Sequence, residues 1–256
     1  MPQYAEHSTW YVRVVRPSEV VEIAVVRDLF ACSPGGTELR EAGSALAFRA
    51  AGAPDARELN RVLGLERLEQ LDELESLYES ARFWVSPDPA VGLDEALLER
   101  GFTVDHPWQK FEREPARISA ETDLRIAEAD ERFGQVFAAA YGMPAAFASW
   151  MGRLPERAGW HCLAAYDGGE PVATGALFAS AGTGWLGMAG TLPSHRGRGA
   201  QSALLAARIA HAHELGLDLI TTETGVPGDE GPGPSYRNIL RAGFRAAYVR
   251  PNYASP

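Results

Sequence analysis

Cysteine is scarce in this chain: Cys32 and Cys162 are the only two in 256 residues, one in each half. Neither has a partner at metal-ligand spacing, so the sequence argues against a disulfide framework or a zinc site, and no metal is expected. Long apolar runs are also missing, and none approaches the ~18 residues of a membrane-spanning helix. The opening stretch, MPQYAEHSTWYVRVVRP, has no basic segment leading into an apolar one. No secretory signal is therefore expected, and the reading is cytoplasmic. Positive charge is in deficit, with 24 Lys and Arg against 34 Asp and Glu, a formal net charge of -10. A nucleic-acid backbone requires a broad basic face, so nucleic acid is not the expected partner, and neither is a membrane. An acidic surface suits a cationic substrate such as an amine.

What is present is a core. Hydrophobic residues make up 46% and charged residues 23%, the balance of a soluble globular protein. The length accommodates one large domain or two of ordinary size. In the first half, DARELNRVLGLERLEQLDELESLYESA places Leu63, Leu68, Leu71, Leu74 and Leu77 near helical period, predicting an amphipathic helix or helix pair. RFWVSP reads as a short buried strand ended by Pro87. Two segments echo one another, EALLERGFTVDHPWQKFE and RNILRAGFRAAYVRPNY. Each is a short helix, then Gly-Phe, then an aromatic strand, with Gly101 and Gly243 as the left-handed residues that end the helices. The charged, aperiodic EREPARISAETD between them reads as a linker, giving expected domains 1–115 and 116–256.

The second half reads as strand DLRIAEA, helices ERFGQVFAAAYG and PAAFASWMGRLP, and strands WHCLAAYD and EPVATGALFAS joined by a DGGE hairpin turn. Strand TGWLGMAGTL, the stretch SHRGRGAQSALLAARIAHA, strand DLITTET, helix SYRNILRAG and a last strand follow, with Ser235 as expected N-cap. The stretch at 194–212 is a loop of Arg196, Gly197, Arg198 and Gly199 running into an alanine-rich helix. Glycines expose backbone N–H groups, and a helix N-terminus adds unpaired N–H groups and positive dipole. Together they form a cradle for a phosphate or pyrophosphate. A Walker A loop is excluded because no Gly-Lys-Ser/Thr follows, and a dinucleotide fingerprint fails because Ser202 stands where its third glycine belongs. His211 and His213, two apart on a helix, make a poor metal pair, and Trp150, Trp160 and Trp185 read as core or pocket lining.

Over residues 118–253 the pattern resembles the GCN5-related N-acetyltransferase (GNAT) family, whose signature is Arg or Gln, two residues, Gly, one residue, then Gly or Ala. Here it runs Arg196, Gly197, Arg198, Gly199, Ala200, with Gln201 in place of the last Gly or Ala, after Thr191-Leu192-Pro193. The resemblance implies a GNAT fold, α/β with a mixed, mostly antiparallel sheet flanked by helices. It also implies acetyl-coenzyme A as co-substrate, no metal, a small-molecule or peptide amine as acceptor, and often a homodimer. By the same resemblance, the backbone of Ala189, Gly190 and Thr191 would pair with the pantetheine arm. The amides from Gly197 through Ala200 and Gln201 to Ser202 would hold the pyrophosphate, with Arg196 and Arg198 adding charge.

The family's amine attacks the thioester directly, which requires a base for the ammonium proton and an acid for the leaving thiolate. Glu223 stands where the family often has the base; the other reading makes it a structural carboxylate, capping the following loop or pairing Arg237. The family's acid is commonly a tyrosine four residues before the Gly of Gly-Phe, and Ile239 stands there. Tyr236, one helical turn earlier, is the replacement candidate, or else a wall of the substrate site. The first half carries the Gly-Phe ending without the cradle and reads as a degenerate GNAT-like copy. An acetyltransferase is the expected function, and a non-catalytic acetyl-coenzyme A binding or sensing module is the alternative.

Overall fold

The computed structural model describes residues 16–79 and 81–256; the opening stretch read above for a targeting signal lies outside the described residues. The turn Asp167–Glu170 carries Gly168 at φ 58° and Gly169 at φ 103°. Two consecutive positive φ values are what a tight hairpin requires, and they join β7 (Trp160–Asp167) to β8 (Glu170–Ser180). Around this hairpin lie β6 (Arg125–Glu128), α4 (Phe133–Tyr141), α5 (Ala145–Met151) and β9 (Thr183–Thr191). The second half continues with α6 (Ala200–Glu214), β10 (Leu219–Gly225), α7 (Pro234–Arg241) and β11 (Arg245–Ala254).

The first half runs α1 (Pro17–Ala31), β1 (Thr37–Ala42), β2 (Ala45–Ala50), β3 (Arg61–Leu63), α2 (Leu68–Leu74), β4 (Trp84–Ser86), α3 (Asp94–Glu99) and β5 (Thr103–Arg113). Its order from β1 to β5 repeats that from β7 to β11. Both halves join one eleven-stranded sheet, ordered β1-β2-β3-β4-β11-β5-β10-β9-β8-β7-β6. The pairs β3–β4 and β9–β10 are parallel and the other pairings antiparallel. The last strand of each half is exchanged: β11 inserts beside β4, and β5 inserts beside β10. Neither half completes its sheet without a strand from the other.

Two of the sequence expectations need correction. Leu63 is not helical; it lies in β3, fully buried between β2 and β4. Gly64, at φ 67°, breaks the leucine-rich stretch, and a helix forms only from Leu68. Sheet burial overrides the leucine period there. The last helix starts one residue before Ser235: Gly233 is its N-cap and Pro234 presets the first turn. Cys32 and Cys162 are both free and buried.

Helix α1 packs into the second half rather than onto the first alone. Val21, Val25, Leu29 and Phe30 share a core with Phe133, Trp150, Trp160 and Phe178. Trp150 Nε1 donates to the Leu29 carbonyl at 2.8 Å, and Trp160 Nε1 to Asp28 at 2.7 Å. On the other face of the sheet, Leu205, Ile209 and Ala212 of α6 pack with Phe111, Ile220, Ile239 and Phe244.

Candidate active site

The site begins where two parallel strands part. β9 pairs with β10 only at Thr183, Gly184 and Trp185. Beyond that, Thr222 Oγ1 donates to the Leu186 carbonyl at 2.8 Å, and no further ladder pair joins the strands. A bulge against β8, between Thr174 and Ala176, accompanies Met188 at φ 49° and turns β9 away. Arg208 of α6, fully buried, donates to the carbonyls of Ala176 and Gly187, which face one another at one end of that bulge. A Cβ at Gly175 would come 2.7 Å from its guanidinium carbon, so glycine is required for the arginine to enter.

The open edge of β9 has a definite phase. Leu192 N donates to the Val172 carbonyl at 2.9 Å, and Gly190 lies opposite Thr174. Polar groups of successive residues alternate sides in an antiparallel ladder. Gly190 therefore turns its groups toward β8, while Ala189 and Thr191 turn theirs toward the splay.

The strand leads through Pro193–His195 into the expected cradle. Gly197 has φ 84° and Gly199 φ 78°, with Gly199 the N-cap of α6, so the helix begins at Ala200. A Cβ on Gly199 would lie 2.5 Å from the Glu121 carbonyl, whereas one on Gly197 meets open space. Close packing against Glu121, beyond any ligand, thus demands glycine at 199. Gln201 bridges strand and helix: its Nε2 donates to the carbonyls of Thr174 and Gly190 and to Thr191 Oγ1, at 3.0–3.1 Å. The two arginines separate in role. Arg198 is committed to Asp167 at 2.6 Å and to Asp123, and these carboxylates hold its guanidinium above the usual range. Arg196 is exposed, with Nε 3.4 Å from the Thr191 carbonyl.

Glu223 sits on β10 opposite Lys110 of β5, which in turn faces Tyr248 of β11. Its Oε2 accepts from Lys110 Nζ at 2.5 Å and Arg250 Nη2 at 3.2 Å. Lys110 also meets Glu22 at 2.5 Å, Arg61 meets Glu22 at 2.5 Å, and Arg250 reaches Glu19 at 3.0 Å. These six side chains, three acids and three cations, are at most 8% exposed. Burial alone would push Glu22 up, yet Arg250, Lys110 and Arg61 outweigh it and hold the carboxyl well below the usual range. Burial and Arg250 work against the Lys110 ammonium, but Glu22, Glu223 and Glu19 hold it above its ordinary value. Sequence reasoning missed these partners of Glu223; Arg237, one partner considered for a structural carboxylate, bonds the Pro232 carbonyl. Lys110 is the chain's one lysine, and its rarity was the only signal available.

Tyr236 lies across the sheet from Glu223. It packs edge-on against Phe111, with ring centroids 5.0 Å apart, and Phe111 points opposite to its neighbour Lys110. Ile239 is buried in the same core. His211 bonds His161 of β7 at 2.9 Å, and His195 leans on Ser194 and Asp167.

Residues 123–231 match the model of the acetyltransferase (GNAT) family. These residues form a GNAT acetyltransferase domain. The match includes the strands β6 to β10 and the cradle, and stops before α7. Among solved structures, the fold is similar to a GCN5-related N-acetyltransferase from Kribbella flavida, with TM-score 0.67 and 20% identity over 95% of this chain and 97% of that one. It is also similar to a GCN5-related N-acetyltransferase from Sphaerobacter thermophilus, TM-score 0.56, 17% identity, over 91% and 84% of the two chains. A tandem GNAT protein from the clavulanic acid biosynthesis pathway gives TM-score 0.58 and 15% identity over 87% and 84%. At such identities the likeness is one of fold. No curated protein matches the chain.

Proposed function

We propose that the protein transfers the acetyl group of acetyl-coenzyme A to a primary amine of a small molecule or peptide, without a metal. One arrangement carries this reading: a splayed strand edge that ends directly in a glycine-lined helix N-terminus. An extended amide-bearing arm would pair with the outward groups of Ala189 and Thr191, and its pyrophosphate would meet the amides of residues 197–202. The N-terminal half is read as a degenerate GNAT-like copy that lends β5 to the sheet.

The splay joins two faces that carry different chemistry. Glu223 lies on the α1 face and Tyr236 on the α6–α7 face. In direct transfer the amine nitrogen attacks the thioester carbon from one side, the carbon–sulfur bond breaks, and the thiolate leaves on the other. Glu223 is the acceptor for the ammonium proton and Tyr236 the donor to the thiolate. Because Oε2 of Glu223 is shared by Lys110 and Arg250, the amine approaches what remains of the carboxylate.

Those same contacts favour the second reading, a non-catalytic acetyl-coenzyme A binding module, as does Ile239 in the core. Thiol release from acetyl-coenzyme A with a panel of amines separates the two. Amine-dependent release supports transfer; saturable coenzyme binding with no release under any amine supports the module, and absence of binding overturns both.

A further inference from the structure

Tyr141 is the last residue of α4, and its side chain is 59% exposed, large and apolar where a helix end would ordinarily carry a polar group. Its hydroxyl is not idle. Tyr141 Oη donates to the Ala189 carbonyl at 2.7 Å, on the outward edge of β9. The ring lies across the strand itself: a Cβ at Gly190 would stand 3.3 Å from Tyr141 Cε2 and 2.8 Å from the Ala140 methyl. Gly142, at φ 65°, ends the helix immediately afterward, so the tyrosine is the outermost helical side chain. Two residues along the same edge, the Thr191 carbonyl faces Arg196.

Neighbouring strands lie roughly 4.7–4.9 Å apart. A phenol oxygen 2.7 Å from the Ala189 carbonyl therefore occupies an acceptor that a chain paired to β9 would use. The cradle sits beyond Thr191, so an arm running from the cradle down the edge reaches Ala189 with its acyl end. We propose that Tyr141 is an internal competitor for the coenzyme arm: its hydroxyl holds the Ala189 carbonyl in the free protein and must leave before the arm pairs there. This rests on the coenzyme reading above. The tyrosine keeps an otherwise open strand edge satisfied, and it sets coenzyme affinity by the bond that has to be exchanged.

The test is titration calorimetry of coenzyme A with the full chain, wild type and Tyr141→Phe, with Tyr141→Ala as a second variant. The side chain is exposed, so both variants keep the fold, which circular dichroism checks. Losing one neutral hydrogen bond from the free state makes binding about two- to tenfold tighter in Tyr141→Phe. Tyr141→Ala, which also clears the ring, binds at least as tightly as Tyr141→Phe. Unchanged or weaker binding in Tyr141→Phe overturns the competitor role, as does weaker binding in Tyr141→Ala, which would make the ring a coenzyme contact. Absence of saturable binding in the wild type instead overturns the coenzyme reading itself.

Discussion

The two halves repeat one order of elements, yet only one of them opens. In the second, β9 follows β10 for three residues and then departs, leaving six residues with no ladder partner on β10. In the first, β3 is only three residues long, and each of them is paired with β4. The helix that follows differs as well. Helix α6 starts from Gly199, whose N-cap position has no side chain to fill it. Helix α2 is closed from within: Gln70 Oε1 accepts from the amides of Glu66 and Arg67, while its Nε2 reaches the Ala42 carbonyl and Ser44. The same topology thus gives a helix start with uncovered backbone N–H groups where glycine stands, and a plain structural turn where a glutamine covers them.

The largest expected effect tests whether the open half is chemically active. Glu223→Gln lowers turnover about 10²–10⁴-fold with coenzyme affinity nearly intact, and the loss shrinks at high pH, where the amine needs no base. A full rate across pH would confine Glu223 to the charge network. Tyr236→Phe keeps the contact with Phe111 and lowers turnover alone; unchanged turnover would mean that the thiolate takes its proton from water.

Next in size is the seam between the halves. Glu22→Ala leaves Lys110, Arg61 and Arg250 buried together without their shared carboxylate. Removing one partner of a buried pair costs about 3–5 kcal/mol, measured here by urea unfolding. Because the last strands are exchanged, both halves should unfold in one transition; two transitions would show that they are independent. Acid weakens the same seam. Glu19 and Glu22 hold their carboxyls below the ordinary 4.5 in the folded chain, so on acidification the unfolded chain takes up protons first. Their contribution is complete above that value and is lost as pH falls through the lower folded values. A stability flat from pH 6 to 3 would contradict this.

A pair of glycines sharpens the comparison further. A Cβ at Gly64 would lie 2.5 Å from the Ser44 carbonyl, and one at Gly199 is equally close to the Glu121 carbonyl, both at positive φ. Alanine at either position costs roughly 1–3 kcal/mol of stability by strain. Only Gly199→Ala should also weaken coenzyme A, by about tenfold or more as charged hydrogen bonds in the cradle are disturbed. Equal losses of affinity in both variants would erase the distinction between the halves. The smallest effect expected is none: the intact chain binds one coenzyme A, and a calorimetric stoichiometry of two would reveal a second cradle. The intact chain is needed, since β5 pairs only with β10 and β11.

What the sequence disclosed was local. The hairpin β7–β8 was read to its end residues because alternation and a Gly-Gly turn are encoded in neighbours. The glycine turn into α6 was legible because glycine and arginine stand together beside a helix-forming run. Leu63 was misread because a three-residue strand leaves no period of its own, and leucines downstream completed a helical one. The strand exchange and the partners of Glu223 were invisible for a different reason. Lys110 lies 113 positions before Glu223, and nothing in either neighbourhood records that they meet. Tyr141 escaped notice because an exposed tyrosine at a helix end has no sequence pattern marking the carbonyl it will find.

Lys110 has one more consequence, and it concerns the protein as a target rather than as a catalyst. Thioesters acylate free ε-amines without any enzyme, and a protein that concentrates such a donor is exposed to it first. Here the chain's single ε-amine is an ammonium enclosed by Glu22 and Glu223, with a side chain 1% exposed. It has neither the lone pair nor the access that acylation requires. The folded protein thus offers a thioester donor no lysine to modify, and an acetyl mark on Lys110 would record a molecule that had come apart.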